Sequence, residues 1–142
     1  MKKYKESRNE KGELQGYIRN SDKAFIVEGN SDYNEVQKWI TSGNTPDVDD
    51  TLLDKVKKAK IAEYEDEGVR RIALQVSEWK SLDNVAFVAS IWNMLGSPNV
   101  AQTEAKNIYL YVKNTAISNV NAQVDIADVQ AIDVTNDPGW PV

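Results

Sequence analysis

TLLDKVKKAKIAEYEDEGVRRIALQVSEW, residues 51–79, decides the fold class of the chain, because its apolar residues return every three or four positions. The stripe consists of Leu53, Val56, Ile61, Tyr64, Gly68, Ile72, Val76 and Trp79. This spacing is the period of an α-helix and not of a β-strand. Asp49, Asp50 and Thr51 precede the stripe, where carboxylates and hydroxyls cap a helix and complement its dipole. The stretch is therefore predicted to be one long amphipathic helix.

Two further segments restart the helical period after this helix. Each follows a serine that can cap its first turn, and in the second of them a proline stands at the first helical position. The three helices are predicted at about 51–80, 82–95 and 98–121. Because the links between them are short, they should pack as an antiparallel bundle. The predicted core of this bundle consists of Ile72, Val76, Trp79, Val88, Trp92, Ile108 and Val112.

Gly68 lies in the middle of the long helix, where glycine costs about 1 kcal/mol relative to alanine. Two structural reasons can account for it. Either the helix bends at Gly68, or another helix crosses close to it.

The first part of the chain is predicted to form a small β-hairpin module. Lys2–Ser7 and Glu13–Asn20 flank a segment that contains Asn9 and Gly12, residue types that suit a turn with positive φ. Phe25-Ile26-Val27 supplies a third short strand, and three strands with one buried face are more stable than two. A short helix with apolar residues at helical spacing follows and ends at a glycine. These helix positions are Tyr33, Val36, Trp39, Ile40 and Gly43.

A succession of short motifs in this module is similar to a known family. The motifs are Tyr17-Ile18-Arg19-Asn20, Phe25-Ile26, Asn30-Ser31-Asp32-Tyr33, Trp39 and Gly43-Asn44-Thr45-Pro46. Together they resemble the small N-terminal module of tail-fibre assembly and tail-associated proteins of tailed bacteriophages, over about residues 14–46. Such proteins often continue with a proline-rich linker, whereas Asp47–Asp50 leads into a helix here. The resemblance implies phage tail or tail-fibre proteins as partners, and it implies no catalytic residues.

The last stretch differs in composition, because no Lys or Arg follows Ala122. Aspartates alternate in part with Val and Ile, which predicts one or two short strands or an extended acidic arm. Pro138 and Pro141 exclude a closing helix. The ending Asp137-Pro138-Gly139-Trp140-Pro141-Val142 also resembles the C-terminal tails of some phage tail proteins. Trp140 either docks into a neighbouring subunit as a stiff anchor or packs on the chain's own bundle.

Partner binding is therefore predicted in the aromatic helix of the module and in the C-terminal arm. The candidate residues are Tyr33, Trp39, Val134, Pro138, Trp140 and Pro141. For Tyr33 and Trp39 the alternative is that both side chains simply pack on the hairpin, as they would in any protein with this arrangement.

The composition excludes several kinds of active site. The chain of 142 residues contains no Cys and no His, so thiolate nucleophiles, disulfides, Ser-His pairs and the common zinc sites cannot be built from it. A net charge of −5 argues against binding to nucleic acid or to an anionic membrane. No apolar run reaches the ~20 residues that span a bilayer, and no signal peptide is predicted. The predicted location is the virion tail, or the host cytoplasm during assembly.

Two acidic clusters are the remaining candidates for chemistry. The first could bind Ca²⁺ or Mg²⁺, but it lacks the glycine and the glutamate of a calcium loop, so helix capping is the favoured interpretation. The second could supply paired carboxylates for acid–base catalysis. The clusters consist of Asp47, Asp49, Asp50 and Asp54, and of Glu63, Glu65, Asp66 and Glu67.

The predicted fold class is α+β, with a β-hairpin and short-helix module over 1–46, a three-helix bundle over 47–121 and an extended acidic arm over 122–142. The predicted function is that of a non-catalytic phage tail protein, either a structural tail component or a tail-fibre assembly chaperone. The alternative is a small carboxylate-based enzyme or a divalent-metal-binding module. No catalytic residue, cofactor or metal is predicted, and a second copy of the chain is a further candidate partner.

Overall fold

The computed structural model describes residues 2–83 and 99–141. The chain divides into two units, Met1–Val56 and Lys57–Val142, and the division falls inside a helix. The acidic arm belongs to the second unit and does not form a separate one. The predicted α+β class is confirmed, because a three-stranded antiparallel sheet is followed by helices.

The first unit is built on the predicted hairpin. Strand β1 (Tyr4–Arg8) pairs with β2 (Leu14–Arg19), and β2 pairs with the short strand β3 (Phe25–Ile26), all antiparallel and in the order β1-β2-β3. Helix α1 (Tyr33–Thr41) follows and covers one face of the sheet. The core between them consists of Tyr4, Tyr17, Ile26 and Val36, with Tyr33, Trp39 and Ile40 packed against it.

The turn after α1 returns the chain to the sheet. Gly43 adopts a φ of +90°, which a residue with a side chain rarely does, and so ends the helix. The backbone of Asp47 then lies along β1. Its N–H donates to the carbonyl of Tyr4 at 2.9 Å, and its carbonyl accepts from Glu6 at 2.8 Å. The free edge of β1 is thereby covered.

The long helix is present as α2 (Leu52–Gln75). A second helical run consists of α3 (Val100–Tyr111), a π-helical segment (Val112–Ala116) and α4 (Ile117–Ala122). Side chains of α2 contact this run in reverse order. Lys57 binds the carbonyl of Asn121 and Glu65 binds Lys113, both at 2.8 Å, so the two elements are antiparallel. In a bundle of three consecutive antiparallel helices the first and third run parallel, so this orientation differs from the predicted one. Leu82 and Asp83 are helical, and the rest of the helix predicted at 82–95 lies outside the described residues.

The predicted stripe of α2 faces the core at Val56, Tyr64 and Ile72, which are all buried. Ile108 and Val112 are buried as predicted, whereas Val76 and Trp79 are only half-buried. Val88 and Trp92, the other predicted core residues, lie outside the described residues. The described helices and the arm together bury Ala105, Ala116, Val120, Val129, Val134 and Trp140 as well.

Gly68 marks a close helix crossing. A Cβ atom at this position would lie 2.9 Å from Cγ2 of Val112, and 3.9 Å from both Leu82 and Trp140. Of the two reasons proposed for a glycine here, the second is therefore correct, since the neighbouring helix occupies the space of a side chain.

The expectation of strands in the acidic arm is wrong at Ile126–Gln130, which form a short helix, α5. The Asp125 side chain caps this helix by accepting from the N–H of Ala127 at 2.7 Å. The alternation of Asp with Val and Ile resembled a strand, but a capping aspartate at a helix start produces the same local pattern. The arm then continues through turns, and its buried residues Val129, Val134 and Trp140 lie within the second unit.

A double-mutant cycle tests the close crossing at Gly68. Gly68→Ala should lower the free energy of unfolding by about 1 kcal/mol, because overpacking against Val112 costs more than the roughly 1 kcal/mol gained in helix propensity. In a Val112→Ala background the same substitution should instead raise the free energy of unfolding, since the obstructing methyl is gone. Chemical denaturation measures both. Equal effects in the two backgrounds would contradict the crossing.

The Tyr4 hydroxyl offers a second test. It is fully buried and has no hydrogen-bond partner among the described residues, and the nearby Lys3 ammonium is bound to Glu35 at 2.6 Å. Tyr4→Phe should therefore raise the free energy of unfolding by about 1 kcal/mol, because it removes an unsatisfied buried donor. The matched control is Tyr111→Phe, which loses a 2.6 Å hydrogen bond to Asp137 and should lower it by about 1–2 kcal/mol. Destabilisation by both substitutions would show that Tyr4 has a partner.

Candidate interaction surface

The outer face of the sheet in the first unit carries exposed apolar side chains. Successive residues of a strand point to opposite faces, so Tyr17 and Ile26 enter the core while Phe25 and Val27 face outward. Leu14 is also exposed, but the register shift between Ser7 and Arg8 interrupts the alternation before it, so Leu14 does not share this face. Phe25 is 52 % exposed, and its ring lies over Gly16, where a Cβ would be 3.0 Å from the ring. Gly16 therefore allows the phenylalanine to lie against the sheet, and the result is an apolar patch of Phe25 and Val27.

Tyr33 and Trp39, predicted to bind a partner, contribute mainly to the core of their own unit. The Trp39 ring meets the Tyr4 ring edge-on at a centroid distance of 5.2 Å, and Tyr33 lies 6.3 Å from Tyr17. Both are half-buried, so part of each remains exposed. Tyr33 and Trp39 thus pack on the hairpin, as the alternative interpretation expected. A partner-binding role for them stays a prediction.

Trp140 fills a pocket in its own unit. Its ring lies 5.0 Å from that of Tyr111 and 5.8 Å from that of Tyr64, and the Arg71 guanidinium lies over it at 4.7 Å. Its indole N–H donates to the carbonyl of Val134 at 2.6 Å, and the residue is only 6 % exposed. Of the two alternatives for Trp140, the structure therefore has the one in which it packs on its own unit.

The other predicted arm residues divide by exposure. Val134 is buried, Pro141 is half-buried and Pro138 is exposed. Arg71 also donates to the carbonyl of Thr135 at 2.7 Å, which fastens this part of the arm to α2. A partner that binds the arm can thus reach Pro138 directly, whereas Val134 and Trp140 are already covered.

Asp137 is the polar centre of this packing. One carboxylate oxygen accepts hydrogen bonds from the hydroxyls of both Tyr64 and Tyr111, the latter at 2.6 Å. The other oxygen accepts from the N–H of Gly139 at 2.8 Å. Gly139 is required there, because a Cβ would lie 2.5 Å from the Tyr111 hydroxyl. The sequence Asp137-Pro138-Gly139-Trp140 thus closes around two tyrosines that come from different helices.

Burial and hydrogen bonding shift the pKa values of Asp137, Tyr64 and Tyr111. Burial works to raise the pKa of Asp137, but the hydrogen bonds from Tyr111, Tyr64 and Gly139 outweigh it and hold the pKa below its ordinary value. Burial and the hydrogen bonds to Asp137 raise the pKa of both tyrosines. The arrangement therefore favours a charged carboxylate held by two neutral phenols.

An open cleft of about 430 Å³ lies beside Asp137. Tyr64, Asn119, Gln123, Ile132, Asp133, Asn136 and Pro138 are among its lining residues. Asp133 already binds Asn136 through its side chain at 2.9 Å, and the Asp137 oxygens are occupied as described above. The carboxylates of this cleft are thus engaged in holding the arm together.

The first acidic cluster fastens the turn that leads into α2. The Asp49 side chain is 3 % exposed and accepts from the N–H of Arg8 and the ammonium of Lys55, both at 2.8 Å, and from Thr51. Burial works to raise the pKa of Asp49, but these hydrogen bonds lower it far below its ordinary value. Asp47 and Asp50 bind Lys2 and Lys5 instead. None of these donors is a backbone N–H of α2, so Asp49 fixes the turn before the helix and the capping interpretation stays a prediction.

The second acidic cluster is paired with basic side chains. Glu63 binds Lys60 at 2.7 Å, and Glu65 binds Lys113 at 2.8 Å. Glu67 binds both Arg70 and Arg71, at 2.6 and 2.8 Å, and these bonds together lower its pKa. Glu63, Glu65 and Glu67 are thus each engaged by a basic side chain. In residues 2–83 and 99–141, no group of three or more acidic side chains is placed to hold a metal ion.

Searches against protein-family models, characterised proteins and solved structures find no match to this chain. None of the helices in the described part of the chain is long and apolar enough to cross a membrane.

The Asp137 interaction predicts a pH-dependent stability. Because folding lowers the pKa of Asp137, its contribution is present above the unfolded-state value of about 3.9 and is lost as the pH falls through the folded-state value. Asp137→Asn should therefore reduce the free energy of unfolding at neutral pH by about 1–3 kcal/mol. The difference in free energy of unfolding between Asp137→Asn and the original chain should decrease as the pH falls from about 5 to about 2.

The control for this experiment is Asp66→Asn, which changes an exposed carboxylate on the same helix as Tyr64. Its free energy of unfolding should stay close to that of the original chain across this pH range. Denaturant titrations monitored by circular dichroism measure all three proteins. If the loss of unfolding free energy caused by Asp137→Asn stayed constant with pH, folding would not lower the pKa of this carboxylate.

Proposed function

We propose that the chain is a non-catalytic component of a bacteriophage tail, which acts through protein–protein contacts either as a structural tail or tail-fibre protein or as a tail-fibre assembly factor. Its partners are then phage tail or tail-fibre proteins. Its location is the virion tail, or the host cytoplasm during assembly.

The first support is the way in which the motifs that resemble those of phage tail proteins fold. They occupy β2, β3, α1 and the turn after it, all within one unit. Several of them contact one another. Arg19 binds Asp22 at 2.8 Å and Asp32 at 2.9 Å, and the side chain of Asn44 donates to the carbonyl of Trp39 at 2.8 Å. The resemblance therefore covers a physically connected module.

The observation that carries the proposal is the exposed apolar patch of Phe25 and Val27 on that module. Charged side chains of the module bind one another, while these two apolar side chains remain in water. Covering such side chains on association is favourable by about 25 cal/mol per Å² of apolar surface. A surface of this kind suits contact with another protein.

Quantitative mass spectrometry of purified particles of the encoding phage tests the proposal. A structural component should be present at a fixed number of copies per particle. An assembly factor should be absent from particles, while deletion of its gene should yield particles without fibres. If the protein is absent from particles and deletion of its gene leaves the fibres normal, both the structural role and the assembly role are contradicted.

A matched pair of variants tests the patch. Val27→Ser should reduce incorporation or fibre assembly by about tenfold, because roughly 1.4 kcal/mol of apolar contact is lost. Val48→Ser changes a more exposed apolar residue of the same unit outside the patch, and should have no effect. Equal phenotypes for the two variants would place the contact elsewhere. Circular dichroism of each purified variant confirms that the fold is retained.

A further inference from the structure

The two edges of the sheet differ in whether their backbone groups are hydrogen-bonded. The backbone of Asp47 covers β1, as described above, whereas β3 is an edge strand. In an antiparallel ladder, hydrogen-bonded and non-hydrogen-bonded pairs alternate. Arg19 donates to the carbonyl of Ala24 at 2.9 Å, so these two residues form a hydrogen-bonded pair. The next pair, Ile18 and Phe25, is therefore a non-hydrogen-bonded pair. The N–H and C=O of Phe25 therefore point away from β2, toward the free edge.

The outward backbone groups of Phe25 have no hydrogen-bond partner in residues 2–83 and 99–141. The side chain of the same residue is 52 % exposed. One residue thus presents a donor, an acceptor and an apolar ring side by side. An edge of this kind is a template for a further strand.

We propose that β3 pairs with β3 of a second copy of the chain, antiparallel and about a two-fold axis at Phe25. The N–H of each Phe25 then donates to the C=O of the other, and the two sheets join into one. This inference goes beyond the proposed function, and it concerns the purified chain in solution.

Two features favour a second copy over an unrelated strand. A two-fold axis needs only one residue with an outward donor and acceptor, which is all that a two-residue strand offers. Opposed residues of an antiparallel pair lie on the same face, so the two exposed phenylalanines come together and extend the apolar patch.

Cysteine cross-linking tests this geometry directly, because the chain contains no cysteine of its own. Opposed residues of a hydrogen-bonded antiparallel pair have Cα atoms about 5.5 Å apart, within the range that a disulfide spans. Under mild oxidation Phe25→Cys should form disulfide-linked dimers at least about tenfold faster than Val48→Cys, an equally soluble control on an exposed residue of the same unit. Denaturant should abolish the difference. Equal rates for the two variants in the folded state would overturn the proposal.

A charge exchange gives an independent readout. Sedimentation equilibrium of the original chain should show a mass that rises toward two copies with concentration. Phe25→Lys and Phe25→Glu should each remain monomeric, since each places like charges opposite one another. An equimolar mixture of the two should associate again, because residue 25 faces residue 25. A monomeric original chain, or a mixture that stays monomeric, would overturn the proposal.

Discussion

The missing side chain at Gly68 is the constraint on which the second unit depends. Its position brings Val112, Leu82 and Trp140 within 2.9–3.9 Å of the place where a Cβ would be. Three segments that are far apart in sequence therefore meet α2 at one point. Because Val112 is also the first residue of the π-helical segment, the closest approach coincides with the only described break in the regular α-helical turn of that run. Close packing at this point sets the distance between the two helices and leaves room for the indole ring beside them.

Each unit also relies on one carboxylate with several donors. Asp49 joins β1 to the start of α2 in the first unit, and Asp137 joins two tyrosines to the arm in the second. Both have a lowered pKa because their hydrogen bonds outweigh the cost of burial. Charge-assisted hydrogen bonds are about twice as strong as neutral ones. Hydrogen bonds of this kind fix the path of the loops, because they depend on the direction of the donors as well as on their distance.

The helical period and the hairpin turns were predictable, because they depend on residues close in sequence. The positions of Val56, Tyr64 and Ile72 on the buried face of α2 follow from the 3.6-residue repeat alone. The Asp137 network was missed, since nothing local indicates that tyrosines 73 and 26 positions earlier in the chain donate to it. The signal available was the Asp-Pro-Gly-Trp sequence itself. Its glycine and aspartate are typical of a tight turn, whereas the prediction of a docking arm rested on Trp140 and the prolines beside it.

The placement of Trp140 and Asp137 affects the order in which the chain folds during synthesis. The core of the first unit is made by residues within Met1–Val56, so its sheet and helix can form while most of the second unit is still being translated. The second unit lacks its indole ring and its central carboxylate until residues 137–140 have left the ribosome. Until then, Tyr64 and Tyr111 lack the carboxylate to which their hydroxyls donate. Synthesis thus delivers the two units in sequence, and the second can close only after the turn at Asp137 has emerged.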